Sequence, residues 1–128
     1  MKLPLFRPQG ARRCDHGFTL IELLVVVAII ALLAAVAIPQ FMAYRSRAVD
    51  TEMKNDLKNA AIAMESYYAE YRTYPSTVAA IQAVGFRQTD GVSLTITITT
   101  PTSYTLTASK SNGSQASFTY DSSTGLIN

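Results

Sequence analysis

The 128-residue chain has no tryptophan, a single cysteine and a single histidine. Cys14 and His16 both lie within residues 1–16, so nothing beyond that point can form a disulfide or a zinc site of Cys and His. A Ser-His-Asp or Cys-His triad is excluded there for the same reason, and no motif supports a Ser-Lys pair. There is no internal repeat, no phosphate-cradling glycine loop and no basic surface interleaved with aromatics. The chain is therefore expected to be no enzyme, with no catalytic residues, no cofactor and no metal, and no nucleic acid is expected as a partner of the isolated chain. Residues 1–16, MKLPLFRPQGARRCDH, also lack the apolar core of an ordinary secretory signal.

The most informative absence is polarity. From Leu23 to Ile38 there is no polar side chain. The surrounding stretch, GFTLIELLVVVAIIALLAAVAI at 17–38, is long enough for a bilayer, which needs about 20 apolar residues. In lipid every backbone N–H and C=O must be paired within the segment, which a helix achieves and a lone strand cannot. The rest of the chain is too small to wrap such a helix, so the segment reads as membrane-spanning. The formal charge of +2 is unevenly distributed. Lys2, Arg7, Arg12 and Arg13 outweigh Asp15 at the start, whereas seven basic and eight acidic residues follow. That asymmetry puts the N-terminus on the cytoplasmic side of the membrane and the C-terminus outside.

Glu22 is the one charge in the stretch. It has two readings from the residues alone. It is an acid at headgroup level near a helix N-terminus, which favours negative charge, or a carboxylate awaiting a cation from another subunit. In mid-membrane such a group costs roughly 2.5–3.5 kcal/mol.

The motif of Gly17, Phe18 and, four residues on, Glu22, then an unbroken apolar run closed by Pro39, resembles the N-terminus of type IV prepilins and of the related pseudopilins. The likeness is strong from Gly17 to about Tyr44 and looser through Thr73, Tyr74 and Pro75. It implies a leader, 1–17, removed by prepilin peptidase between Gly17 and Phe18, with methylation of the Phe18 amine. It implies that Glu22 recruits and registers neighbouring subunits, that the chain polymerises with itself through its helix, and that inner-membrane pilus assembly machinery acts on it. The bilayer holds the subunit before assembly, and the filament is extracellular. Relatives commonly have Gly eight residues before the proline, where this chain has Ala31; Ala favours helix by about 0.8–1.0 kcal/mol, so melting of Ala31–Pro39 should be harder here. Many type IVa pilins close their C-terminal region with a disulfide, which this chain cannot do.

Residues 18 to about 72 read as one helix, in which Pro39 removes a hydrogen bond and permits a kink. The hydrophobic segment is taken as 18–40 and the external domain as 41–128. Beyond the membrane, Val49, Met53, Leu57, Ala60, Met64, Tyr67 or Tyr68, and Tyr71 recur at helical spacing. Asp50, Glu52, Lys54, Asp56 and Lys58 are expected on the solvated side, with Asp50 and Lys54 as an i,i+4 pair. Tyr74-Pro75 ends the helix, Ser76 caps a short helix Thr77–Ala83, and Gly85 stops it. Alternation then places Val92, Leu94, Ile96 and Ile98 on one face and Ser93, Thr95, Thr97 and Thr99 on the other. Pro101 marks a turn, Tyr104, Leu106 and Ala108 then alternate with Thr105, Thr107 and Ser109, Asn112-Gly113 supplies a hairpin turn, and Ala116, Phe118 and Tyr120 form a third strand, with Leu126 and Ile127 as an edge.

The expected fold is α+β: a long N-terminal helix, half transmembrane and half amphipathic, packed against a small antiparallel sheet of three to four strands. The resemblance adds a ladle shape. The expected core is Val49, Met53, Leu57, Met64, Leu94, Ile96, Leu106 and Phe118. Tyr44, Tyr67, Tyr68, Tyr71 and Tyr74, with Phe18 and Phe41, form either an aromatic track or ordinary packing. Asp90 and Asp121 alone do not make a calcium loop. The Thr/Ser face is a solvated sheet face or a site for glycans. The function expected is a structural subunit of a type IV pilus-like filament. The alternatives are a type II secretion pseudopilin and a bitopic protein with an external binding domain that does not polymerise.

Overall fold

The computed structural model describes residues 17–128, so the leader expected at 1–17, with Cys14 and His16, lies outside the described residues except for Gly17. The chain divides between Val36 and Ala37 into two compact units. One helix, α1, runs over Leu20–Tyr71 and contains Pro39 without interruption of its helical path.

In the first unit α1 carries only Leu, Ile, Val and Ala besides Glu22, and its side chains lie open. The helix is long and apolar enough to cross a membrane, and none of that apolar stretch is buried.

The second unit buries one side of α1. Met53, Leu57, Ala60 and Met64 are inaccessible to solvent, and they pack with Leu94, Tyr104, Leu106, Ala108 and Phe118 from the sheet. A spacing of three and four residues on the helix meets a spacing of two on the strands, which lets each element present one apolar side. Tyr71 is followed by Arg72 in the left-handed region, φ 59°, whose N–H bonds to the Tyr68 carbonyl at 2.8 Å. α1 thus stops before Tyr74-Pro75, and Pro75 is itself buried.

A short helix, α2, spans Val78–Ala83. Its N-cap is Thr77 rather than Ser76, and no side-chain hydrogen bond caps it. Its C-terminus follows the sequence closely. Gly85 has φ +106°, its N–H bonds to Gln82 O and that of Phe86 to Ile81 O, each at 3.1 Å. This double closure needs a left-handed residue just past the helix, and it carries Ile81 and Phe86 into the core together.

Four strands follow: β1 Ser93–Thr100, β2 Ser103–Ser109, β3 Ser117–Asp121 and β4 Leu126–Ile127. They form an antiparallel meander in the order β1-β2-β3-β4. The outward rows are Ser93–Ser109–Ser117 and Thr95–Thr107–Thr119. The fold is the expected α+β arrangement, with four strands.

Several local expectations are corrected. Val49 and Ile96 only flank the core, while Ile81, Phe86, Val92 and Tyr104 belong to it. β3 begins at Ser117 and Ala116 is exposed, because Asn112-Gly113 lies in a longer connection, 110–116, rather than in a two-residue turn. Asp50 and Asp56 are buried, not solvated. Lys54 does not pair with Asp50: its Nζ lies 4.4 Å from the centre of the Phe118 ring. Among the described residues the ion pair is Lys110–Glu52, at 2.8 Å.

Candidate functional site

The residues singled out by the sequence, Gly17, Phe18 and Glu22, lie at the start of α1. A Cβ built on Gly17 meets nothing within 4 Å, so the fold itself does not demand glycine there. Phe18 is 89% exposed. Thr19 precedes the first helical residue, and its hydroxyl accepts the Glu22 N–H at 3.2 Å. In return, Glu22 Oε2 accepts the Thr19 N–H and the Thr19 hydroxyl, both at 2.8 Å. This is a reciprocal capping box, which satisfies donors that a helix start leaves open. Thr19 is a site residue that the sequence reading missed, although the T-x-x-E spacing of Thr19 and Glu22 signals it.

The cap leaves part of Glu22 available. Among the described residues, Oε1 accepts no hydrogen bond, and Phe18, Ile21, Val25 and Val26 form a shallow apolar surface around it. The arrangement can present one carboxylate oxygen in an apolar setting while the other anchors the helix start. Ala31 and Pro39 are both helical.

The second unit uses the same device at its loops. Thr89 donates its N–H and hydroxyl to Asp56, at 2.8 and 2.6 Å. Ser114 donates its N–H to Asp50 Oδ1 at 2.8 Å and its hydroxyl to Oδ2. Lys110 adds a bond to the Asp90 carbonyl at 2.7 Å. The loops on both sides of the β1–β2 hairpin are thus tied to α1. Burial pushes the Asp50 carboxyl up, but the Ser114 bonds, the Gln115 N–H and the Lys54 charge outweigh it and hold it below the usual range. Asp121, expected to be too isolated for a calcium loop, is held by the Ser123 N–H and hydroxyl at 2.8 and 2.6 Å.

The tyrosines separate into two groups. Tyr68, Tyr74, Tyr104 and Tyr120 follow one another at centroid distances of 4.5, 4.7 and 6.3 Å. Glu65 accepts the hydroxyls of Tyr104 at 3.0 Å and Tyr74 at 3.2 Å. Burial first, and the Glu65 bond second, push the Tyr104 hydroxyl upward. Tyr67 and Tyr71 form a separate pair at 4.4 Å. Phe18, Phe41 and Tyr44 are exposed and join neither group. Tyr74 and Tyr104 thus pack ring against ring with both hydroxyls gathered on one acid.

Comparison with known proteins decides the family. Residues 12–38 match the prokaryotic N-terminal methylation motif. Residues 39–119 match the family described as type IV minor pilin ComP, DNA uptake sequence receptor. The type IV wide pilus major component PilA4 of Thermus thermophilus is 42% identical over 102 residues, 79% of this chain and 78% of that protein. The chain belongs to the type IV pilin family. This pilin is also 42% identical over 74 residues to the type IV major pilin protein PilA of Myxococcus xanthus, covering 58% of the chain and 31% of that protein. The type II secretion system core protein G of Pseudomonas aeruginosa is 42% identical over 73 residues, 57% of the chain and 51% of that protein.

Proposed function

We infer that this pilin is a structural subunit of a type IV pilus-like filament, anchored in the inner membrane by α1 before assembly. One observation carries the reading. The same chain joins an unburied apolar helix, opening on Phe18 and Glu22, to a globular region of pilin type. The functional division is a leader 1–17, a membrane and assembly segment 18–40, and an external domain 41–128.

Prepilin peptidase cuts between Gly17 and Phe18 and the new Phe18 amine is methylated. The open surroundings of Gly17 support this, since a residue without Cβ lets a protease grip the backbone and the fold gives no other reason for it. The basic leader stays on the cytoplasmic side. After cleavage the chain's own Phe18 amine lies four residues from Glu22, and a neighbouring subunit can offer Glu22 the same amine in register. Thr19 holds Oε2, and Oε1 is left for that amine. The pairing offsets the cost of a carboxylate in an apolar setting and fixes the stagger between helices, a specificity role as well as a stabilising one. Pro39 supplies a missing rung at which the helix can kink. The assembly machinery of the inner membrane lifts the subunits from lipid, and the helices then pack with one another.

The longer match to a pilus component than to a secretion pseudopilin favours the pilus. The test is N-terminal mass spectrometry of the membrane-associated protein. The mature chain should begin at methylated Phe18, and Gly17→Val should accumulate as the full-length precursor. A mature chain that retains Arg12 and Arg13 contradicts the reading.

A further inference from the structure

Beyond its assembly through α1, the protein carries a second feature suited to self-association, at the edge of its sheet. The two edges differ. β4 is only Leu126–Ile127, and a short edge strand is a poor template for another chain. β1 is the other edge and runs over Ser93–Thr100, SLTITITT. It contains no charge and no proline, the residues that commonly protect such edges. Its one irregularity, the register shift between Ile98 and Thr100, leaves Ser93–Ile98 regular.

In an antiparallel ladder every second residue of an edge strand turns its N–H and C=O away from the sheet. Among the described residues, no backbone group of Ser93–Thr100 bonds to anything beyond the sheet ladder. The apolar side is also incomplete at this edge. Ile98 faces the core side yet is 37% exposed, whereas Leu94 on the same side is buried.

We propose that β1 pairs antiparallel with β1 of a second copy of this chain, joining neighbouring filaments side by side. The pattern of the strand selects this occupant. Antiparallel self-pairing sets Thr beside Thr outside and Leu94, Ile96 and Ile98 beside one another inside, and it covers the exposed Ile98. A charged peptide would find no counter-charge along the strand. Such a junction is two-fold and closes on itself, so it links two copies and cannot propagate a helical polymer. It therefore acts between filaments rather than along one.

Its size fits the same role. Six residues of strand are about 20 Å long, and their contact falls well short of the roughly 1,000 Å² that holds by itself. A single subunit stays unpaired, but many aligned junctions along two filaments add up through avidity. Because the strand is uncharged, salt should not disperse the bundles.

The proposal rests on the filament reading, and the test separates the two. Filaments sheared from cells carrying the full-length gene are counted and viewed by negative-stain electron microscopy. Absence of wild-type filaments would contradict the filament reading; single, unbundled wild-type filaments would overturn only the junction. Thr97→Lys and Thr97→Glu are exposed changes on β1. Each should leave filament yield unchanged and lower the bundled fraction by about tenfold or more. Mixing filaments of Thr97→Lys with filaments of Thr97→Glu should restore bundles, as opposite charges meet across the junction. Thr119→Lys, on the same sheet face but on interior strand β3, should bundle like wild type. Bundling unaffected by both Thr97 changes, no restoration on mixing, or equal loss in Thr119→Lys would overturn the junction. Loss of filaments themselves from both Thr97 variants at normal protein abundance would place β1 inside the filament and overturn the lateral reading.

Discussion

The two units of this pilin use one helix in opposite ways. In the first, α1 holds its apolar side chains outward, with Leu32 68% exposed. In the second, Leu57 of the same helix is completely buried against the sheet. Among the described residues the first unit has no core of its own, so this stretch of α1 gains nothing from packing within the chain. The second unit is satisfied by its own sheet. The acids repeat the comparison. Glu22, Asp50 and Asp56 are each gripped by the N–H and hydroxyl of a single Ser or Thr. Asp50 and Asp56 use both oxygens, whereas Glu22, like Asp121 with Ser123, uses only one. What sets Glu22 apart is its setting, since its second oxygen lies among Phe18, Ile21, Val25 and Val26.

Truncating the same residue type in both units should have unequal consequences. Leu57→Ala should destabilise the detergent-solubilised protein by about 2–5 kcal/mol in urea unfolding, enough to reduce abundance in cells. Leu32→Ala should leave that transition unchanged. Equal effects at the two positions would mean that the first unit owns a core after all.

A smaller effect is expected at Asp50. Asp50→Ala strands the Ser114 N–H and hydroxyl and should cost about 1–3 kcal/mol. The sign of its pH dependence follows from its lowered pKa. Its contribution is present above the ordinary carboxylate value and is lost as the pH falls through the lowered one, below about pH 4. Urea unfolding of wild type and Asp50→Ala should therefore converge in acid and separate at neutral pH. A gap that stays constant through that range would show that the carboxylate charge contributes nothing.

The smallest effect tests the loop that Asp50 holds. A Cβ on Gly113 would stand 2.8 Å from both Asp50 Oδ1 and the Gln115 carbonyl, and 3.0 Å from Met53 Cε. Gly113→Ala should destabilise by about 1–2 kcal/mol, toward the lower part of the range for overpacking. Combined with Asp50→Ala, it should cost less than the sum, since the two share a contact. Strict additivity would separate the loop from the acid.

Much of this was legible in the sequence, and the reasons are local. The apolar run at 23–38, the helical spacing of Met53, Leu57, Ala60 and Met64, and the alternation from Val92 to Ile98 each repeat over several residues, so one exception does not obscure them. The Gly85 stop was legible because a left-handed residue is needed just past the helix. The buried acids were not legible. Asp50 and Asp56 look like solvated positions until Ser114 and Thr89 approach from 64 and 33 residues away. Tyr104 was legible as a strand residue but not as the centre of the core, since its hydroxyl needs Glu65, which lies 39 residues back on α1. At the candidate site, Gly17, Phe18 and Glu22 were marked by motif. The Thr19 cap was equally visible in its spacing, but it needed Glu22 to be read as a hydrogen-bond acceptor as well as a charge.

We propose that the half-satisfied Glu22 aligns one subunit with the next. It is tested most directly by the yield of sheared filaments from Glu22→Val, measured beside total membrane-associated protein. The substitution makes the span more apolar, so insertion and abundance should match or exceed wild type, and cleavage after Gly17 should persist. Filaments should be few or absent. A normal filament yield would reduce Glu22 to the partner of Thr19 in a helix cap and contradict the pairing with Phe18.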